Sequence, residues 1–253
     1  MQWLQLKCHA AKMHDMRMDN KLLRSVLRKL PIGDDPDFAP VFAQEALDFL
    51  AVIADAKPVY VLGRPPLDED WDKAILNAAR TLRLHVAKGP YWQAEDSLSG
   101  FPAWFRDDVQ DKLAGLTATY ISKTPIVPPR NAAEEARLLG FPECCVAAHY
   151  TRERAFNAAW LEDLRIAANG EEAEMRRLMD ADEGLDFDDL PDETLARYAA
   201  AADFEPAPFT SINMCGACRD DKNSPARVIG VRYAALAREV DPDLYALLSG
   251  AAG

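Results

Sequence analysis

Two tight pairs of cysteines constrain the fold of this chain more than any other feature. Cys144 and Cys145 are adjacent, Cys215 and Cys218 form a C-x-x-C motif, and Cys8 is the fifth cysteine. Since 70 positions separate Cys145 from Cys215, the fold must bring the two pairs together if they serve one centre. An odd cysteine count disfavours a disulfide framework. Clustered cysteines in a reducing compartment indicate metal binding or thiol chemistry.

Each pair is predicted to lie at the start of a helix. Pro142 opens a predicted helix that continues to about residue 168, which places the first pair in the first turn, where the helix dipole favours thiolate. The C-G-A-C motif is predicted to form a tight turn just before Ser224 and Pro225, which cap and open the next helix. His149 shares a helix face with Cys145 and is a further candidate ligand, although ordinary helix histidines are commoner.

The chemistry of four thiolates in one pocket points to a metal. Their mutual repulsion requires a cation or protonation. Because the side chains of adjacent cysteines point in different directions, we expect Cys144, Cys145, Cys215 and Cys218 to hold an iron–sulfur cluster, such as a 4Fe–4S cluster, with Zn²⁺ as the alternative. If only three of them are ligands, the open iron can bind substrate. Cys8 is interpreted as incidental.

The segment L-L-G-F-P-E-C-C, with its distant C-x-x-C and Ser-Pro, resembles a mainly archaeal prokaryotic protein family of uncharacterised function with the motif L-G-(F/Y)-P-x-C-C. The resemblance covers residues 138–150 and, more loosely, 215–230, and it implies that the cysteines act as a unit. The order of the five cysteines is also similar to that in the cysteine-rich CCG domain of heterodisulfide-reductase-like proteins, which hold an iron–sulfur cluster. Val146 stands here in place of the glycine of that motif.

Three functions fit these cysteines. The favoured one is a cytosolic iron–sulfur enzyme in redox or sulfur-related chemistry on a small anionic molecule. Arg219, Arg227 and Arg137 flank the cysteine pairs and are the candidate substrate-binding residues, since guanidinium groups suit carboxylate and phosphate. The alternatives are a structural zinc site in a binding or scaffold protein and a metal-free C-x-x-C thiol redox protein.

The net charge of −12 excludes some partners and suggests another. A general nucleic-acid binder or a polybasic membrane-surface protein needs clustered Lys and Arg. Most of the charge lies in residues 171–205, with 13 acidic residues and three arginines, which we interpret as an acidic insertion and a candidate surface for a basic protein partner. No apolar run reaches the roughly 18 residues of a membrane span, and the N-terminus has no apolar signal region, so a cytoplasmic location is expected.

The sequence predicts an α/β to α+β fold that is predominantly helical. Strand patterns at 58–62 and 84–86, with a helical pattern at 67–82 between them, predict a βαβ unit, and 117–121 is a third strand. We expect an N-terminal helical extension at 1–36, a small α/β subdomain at 37–127, and a helical metal-binding subdomain at 128–253.

Overall fold

The computed structural model describes residues 20–33, 39–62, 69–90, 98, 100–113, 116–180, 196, 207 and 209–250. Cys8 and the part of the acidic segment after residue 180, apart from Ala196, lie outside these residues. Within them, ten helices and three strands follow in the order α1 (Asn20–Leu27), α2 (Ala39–Ile53), β1 (Val59–Leu62), α3 (Glu69–Thr81), β2 (His85–Pro90), α4 (Ala103–Leu113), β3 (Thr117–Ser122), α5 (Ala132–Leu138), α6 (Glu143–Ala167), α7 (Glu172–Asp180), α8 (Gly216–Asp220), α9 (Pro225–Val240) and α10 (Pro242–Leu248).

The predicted fold class is confirmed: the chain has a predominantly helical α+β fold with a small N-terminal sheet. The strand order is β1-β3-β2, and both outer strands run antiparallel to β3. The segment β1-α3-β2 is therefore a βαβ unit whose two parallel strands are separated by β3. The sequence pattern does not predict α4, because this helix is only weakly amphipathic.

Helix α2 occupies the centre of the main core. Ten of its 15 residues are buried, so it is apolar on almost every side, as a helix enclosed by neighbouring elements must be. One face of the sheet, α1, α3, α9 and α10 surround it, and their main contributions are Leu23, Leu27, Tyr60, Leu62, Trp71, Ile75, Ile121, Tyr233, Ala237, Val240 and Leu244. The opposite face of the sheet carries a smaller cluster of Val59, Ala118 and Tyr120, as the alternation of side chains along a strand requires.

The C-terminal half thus contributes two helices to the core of the N-terminal half. Tyr233 and Ala237 of α9 and Leu244 of α10 belong to the same buried cluster as Phe49 and Leu50 of α2. The subdomain boundaries at 36 and 127 remain predictions, and the core itself runs across both of them.

A separate cluster supports the far end of α6. Leu164 and Ala168 pack with Phe105 from α4 and with Met175 and Met179 from α7. Helix α6 therefore has its N-terminal cysteines at one end and an apolar anchor at the other. None of the helices in the described ranges is long and apolar enough to cross a membrane.

The sheet leads directly into the cysteine region. The proline-rich segment that follows β3 crosses β2, where a Cβ on Gly89 would lie only 2.6 Å from Cβ of Pro128. The turn after α5 lies against the start of β1, since a Cβ on Gly140 would lie 3.3 Å from Cδ of Pro58. These two close approaches place the first cysteine pair next to the sheet.

Candidate metal centre

Local sequence signals position the first cysteine pair. The Asn131 side chain caps α5 by accepting a hydrogen bond from the N–H of Glu134, and α5 is followed by Gly140 in the left-handed conformation at φ 76°. Pro142 is the N-cap of α6, so Cys144 and Cys145 lie in the first turn, as predicted. Cys144 is exposed and Cys145 is buried.

The second pair lies on a short helix instead of the predicted tight turn. Cys215 is the N-cap of α8, and Cys218 is within it. Ser224 is the N-cap of α9, as predicted, but its hydroxyl does not cap the helix. It donates instead to the carbonyl oxygen of Cys218 at 2.8 Å, which connects the end of α8 to the start of α9.

The fold brings both pairs together as one group of four free thiols. The Sγ atoms of Cys144 and Cys218 are 3.6 Å apart, and those of Cys145 and Cys215 are 3.9 Å apart. All four sulfurs lie within 4.8 Å of one another and could hold a metal ion. Each member of the first pair therefore contacts a different member of the second.

The sulfurs are embedded in a small apolar cluster. Cys145, Cys215 and Cys218 are between 2% and 8% exposed. They pack with residues from the loop before α8 and from the start of α9, namely Ala207, Ile212, Met214 and Ala226, with Phe141 and Ile229 partly buried around them. Because three sulfurs are shielded from water, ionisation of more than one of them is unfavourable without a cation.

Burial and hydrogen bonds between the cysteines shift the pKa values of three of the thiols. Burial raises the pKa of Cys145 above the ordinary value for a thiol. The pKa of Cys144, whose side chain is exposed overall, is raised by partial loss of water around its sulfur and by its hydrogen bonds to the sulfurs of Cys218 and Cys215. Burial also opposes ionisation of Cys215, but the backbone N–H of Cys218 and the three neighbouring thiols donate to its sulfur and lower its pKa overall. Cys215 is therefore the most readily ionised of these three thiols, and a bound cation would displace the protons that remain on the sulfurs.

Arg152 joins the two cysteine-bearing segments. It lies on α6, two turns after Cys145, and donates from Nη1 to the carbonyl oxygen of Met214 at 3.1 Å and from Nη2 to that of Asn213 at 3.3 Å. Met214 directly precedes Cys215. The guanidinium therefore holds the approach to the second pair against the helix that carries the first.

The predicted anion-binding arginines occupy two places. Arg227 donates to the carbonyl oxygen of Arg219 at 2.7 Å, so both lie beside the second cysteine pair, and the Nε of Arg227 is buried with no hydrogen-bond partner among the described residues. Arg137 is on α5, with 69% of its side chain exposed and its Nε 4.0 Å from a carboxylate oxygen of Glu143. It lines an open groove of about 600 Å³ between α5 and α6.

His149 lies outside the group of four sulfurs. Its Nε2 is 3.2 Å from a carboxylate oxygen of Glu153, one turn along α6, and its side chain is 38% exposed. The four cysteines form the candidate ligand group found among the described residues, and His149 does not belong to it.

A buried ion pair next to this centre was not predicted from the sequence. Lys57 Nζ is 2.5 Å from Oδ2 of Asp48, and both side chains are only 5% exposed. Asp48 also accepts a hydrogen bond from Ser211 at 2.8 Å. One signal was present: Asp48 is a charged residue in the middle of the apolar run of α2, where an acidic side chain needs a partner.

Comparison of the chain with known protein families, with curated proteins and with solved structures finds no match. The geometry of this centre is therefore the basis on which a function can be inferred.

Proposed function

We propose that Cys144, Cys145, Cys215 and Cys218 together bind a single Zn²⁺ ion, and that this structural centre holds two distant parts of the chain together in a binding or scaffold protein. The spacing of the sulfurs carries the proposal. A tetrahedral ion with metal–sulfur bonds of about 2.3 Å has sulfurs about 3.8 Å apart. Two of the four sulfur–sulfur distances between the pairs are 3.6 and 3.9 Å, and no two of the sulfurs are more than 4.8 Å apart.

The position of the centre supports a structural role. One pair lies at the start of α6, which is anchored at its far end, and the other is attached to α9, which belongs to the main core. A metal that binds both pairs would close a loop of about 70 residues and restrict the unfolded chain. Structural zinc sites typically have four protein ligands, and four cysteines provide them.

Two adjacent cysteines in this arrangement do not by themselves require a cluster. Adjacent side chains on α6 do diverge, yet each reaches a different sulfur of the second pair, and all four lie within 4.8 Å. A cluster places its cysteine ligands on different irons and needs a wider set of sulfurs than one ion does.

An iron–sulfur enzyme acting on a small anionic molecule is the second candidate. The observation that favours it is the exposure of Cys144, which leaves one side of the centre open to solvent. Arg219 and Arg227, beside the second pair, would then be the residues to bind the anion. The acidic segment 171–205 as a surface for a basic partner lies mostly outside the described residues and stays a prediction.

Metal content and optical spectra separate these candidates. The protein is purified without oxygen, and zinc, iron and acid-labile sulfide are measured per chain. We expect one zinc, no visible absorption, and the strong visible bands of a tetrahedral tetrathiolate site after substitution with Co²⁺. Brown protein with matching iron and sulfide would establish the second candidate instead, and a metal-free protein with a titratable dithiol would establish the thiol redox function.

Cysteine variants then assign the ligands. Cys144→Ala and Cys218→Ala are expected to lose the bound metal, since each removes one of four sulfurs. Cys8→Ala, the control, is expected to retain one metal ion per chain. Full metal content in either of the first two variants would contradict the proposed ligand set.

A further inference from the structure

We infer that the buried Asp48–Lys57 ion pair is a positioning element of the metal centre, which holds both cysteine-bearing segments at the distance that a single ion requires. This inference rests on the proposed function. The observation behind it is that the pair contacts the segment before each cysteine pair.

Asp48 reaches the segment before the second pair. Its Oδ2 accepts hydrogen bonds from Lys57 at 2.5 Å and from the hydroxyl of Ser211 at 2.8 Å. Ser211 is four residues before Cys215 in the chain, and Ile212 and Met214, between them, are buried in the cysteine cluster. The carboxylate thereby links α2, the centre of the main core, to the loop that carries Cys215.

Lys57 reaches the segment before the first pair. Its ammonium group lies 5.7 Å from the centre of the Phe141 ring, within the range of a cation–π contact. Phe141 is three residues before Cys144 and packs against the cysteine cluster. The same charge that neutralises Asp48 therefore also attracts the residue that leads into α6.

The three segments meet around a cavity of about 30 Å³. Its lining includes Asp48 and Lys57, the turn at Gly140 and Phe141, and the loop residues Ser211 and Ile212. Both charged side chains are almost fully removed from water, so their interaction is screened little. An ion pair at such a place is costly to desolvate and contributes orientation more than stability.

Replacing both charged residues by apolar residues distinguishes a role in positioning the cysteine segments from a contribution to the stability of the fold. A single variant leaves the other charge buried alone, so we choose the double variant Asp48→Leu/Lys57→Met, for which the neighbouring cavity provides room. Such a replacement of a buried ion pair is often neutral or stabilising. We expect the metal-free double variant to unfold at a temperature equal to or above that of the metal-free wild type.

The affinity of the double variant for Zn²⁺ is expected to fall, although the unfolding temperature of the metal-free protein does not. Competition with a zinc chelator should show affinity for Zn²⁺ at least tenfold lower in the double variant, by analogy with the loss of groups that orient metal ligands. Ser211→Ala, which removes one hydrogen bond to Asp48, should shift the affinity in the same direction by a smaller factor. A folded double variant with wild-type Zn²⁺ affinity would overturn the inference.

A second ion pair provides the matched control. Lys123 Nζ is 2.5 Å from Oδ2 of Asp55, and this pair is part-exposed and connects the end of β3 to the end of α2. Asp55→Asn/Lys123→Met should leave the Zn²⁺ affinity unchanged. An equal loss in the control would show that the effect is general destabilisation and would overturn the inference.

A metal-independent measurement distinguishes failure of the inference from failure of the zinc proposal. Metal-free protein is oxidised with diamide, which takes two electrons and two protons from two thiols as they form one disulfide. Peptide mapping then gives the ratio of Cys144–Cys218 to Cys215–Cys218 disulfide. We expect at least a tenfold lower ratio in the double variant than in wild type, whether or not wild type binds Zn²⁺; an unchanged ratio would overturn the inference.

Discussion

Arg152 donates a hydrogen bond to the carbonyl oxygen of Met214 across 62 positions of sequence, and this contact joins the helix of the first cysteine pair to the residue that precedes Cys215. A second nitrogen of the same guanidinium binds the carbonyl of Asn213. The geometry of the centre therefore depends on a residue that bears no sulfur and binds the backbone carbonyls of the two residues before Cys215.

Arg152→Met is expected to lower the free energy of unfolding by about 1.5–3 kcal/mol, because two carbonyls lose a charged donor. It should also weaken Zn²⁺ binding, since the loop before Cys215 is no longer held against α6. Chemical denaturation and competition with a chelator measure the two effects. Arg165→Met is the matched control on the same helix, because Arg165 forms an exposed pair with Glu162 and should change neither quantity measurably.

Two glycines beside the cysteine pairs are expected to respond differently to alanine. Gly140 has φ 76°, and an added Cβ would lie 3.3 Å from Pro58. Gly140→Ala should therefore reduce the free energy of unfolding by about 1–2 kcal/mol, the cost of a left-handed alanine. Urea unfolding curves measure it.

Gly216 lies in the C-x-x-C motif, but its position in α8 leaves open space for a Cβ. Gly216→Ala should change the free energy of unfolding by less than about 0.5 kcal/mol. A large loss of stability in this variant would favour the tight turn predicted from the sequence over the helix.

Cys144 should react first with a maleimide in the metal-free protein. Its side chain is exposed, whereas Cys145, Cys215 and Cys218 are at most 8% exposed. Cys215 ionises more readily, but a reagent reaches it only after local opening. Mass spectrometry of peptides at short labelling times identifies the site. Labelling of Cys215 before Cys144 would contradict this prediction, and bound metal should protect all four thiols.

Metal binding should release protons and weaken as the pH falls. Loss of water around their sulfurs raises the pKa of Cys144 and Cys145, so these thiols are protonated at neutral pH in the metal-free protein and must ionise to bind. We expect at least two protons to be released per Zn²⁺ near neutral pH, one each from Cys144 and Cys145. Calorimetric titrations in buffers of different ionisation enthalpy measure this number, and a value near zero would mean that thiolates are not the ligands.

Short-range signals in the sequence account for the helical framework of the centre. Asn131 caps α5, Gly140 follows its end and Pro142 precedes α6 because each acts through its own backbone or a neighbour three residues away. The same reasoning placed Cys144 and Cys145 in the first turn. It did not identify α8, whose five residues are too few for an amphipathic pattern.

By itself, the sequence determined which residue types are present, which of them lie at helix starts, and that four thiols in one pocket need a cation. Only the tertiary structure decided that the four sulfurs lie within 4.8 Å of one another, a spacing suited to one ion. It also decided that Arg152, Asp48 and Lys57 contact the segments that precede the cysteines. These relationships join residues far apart in the chain, and their distances follow from packing of the whole core, which no local pattern encodes.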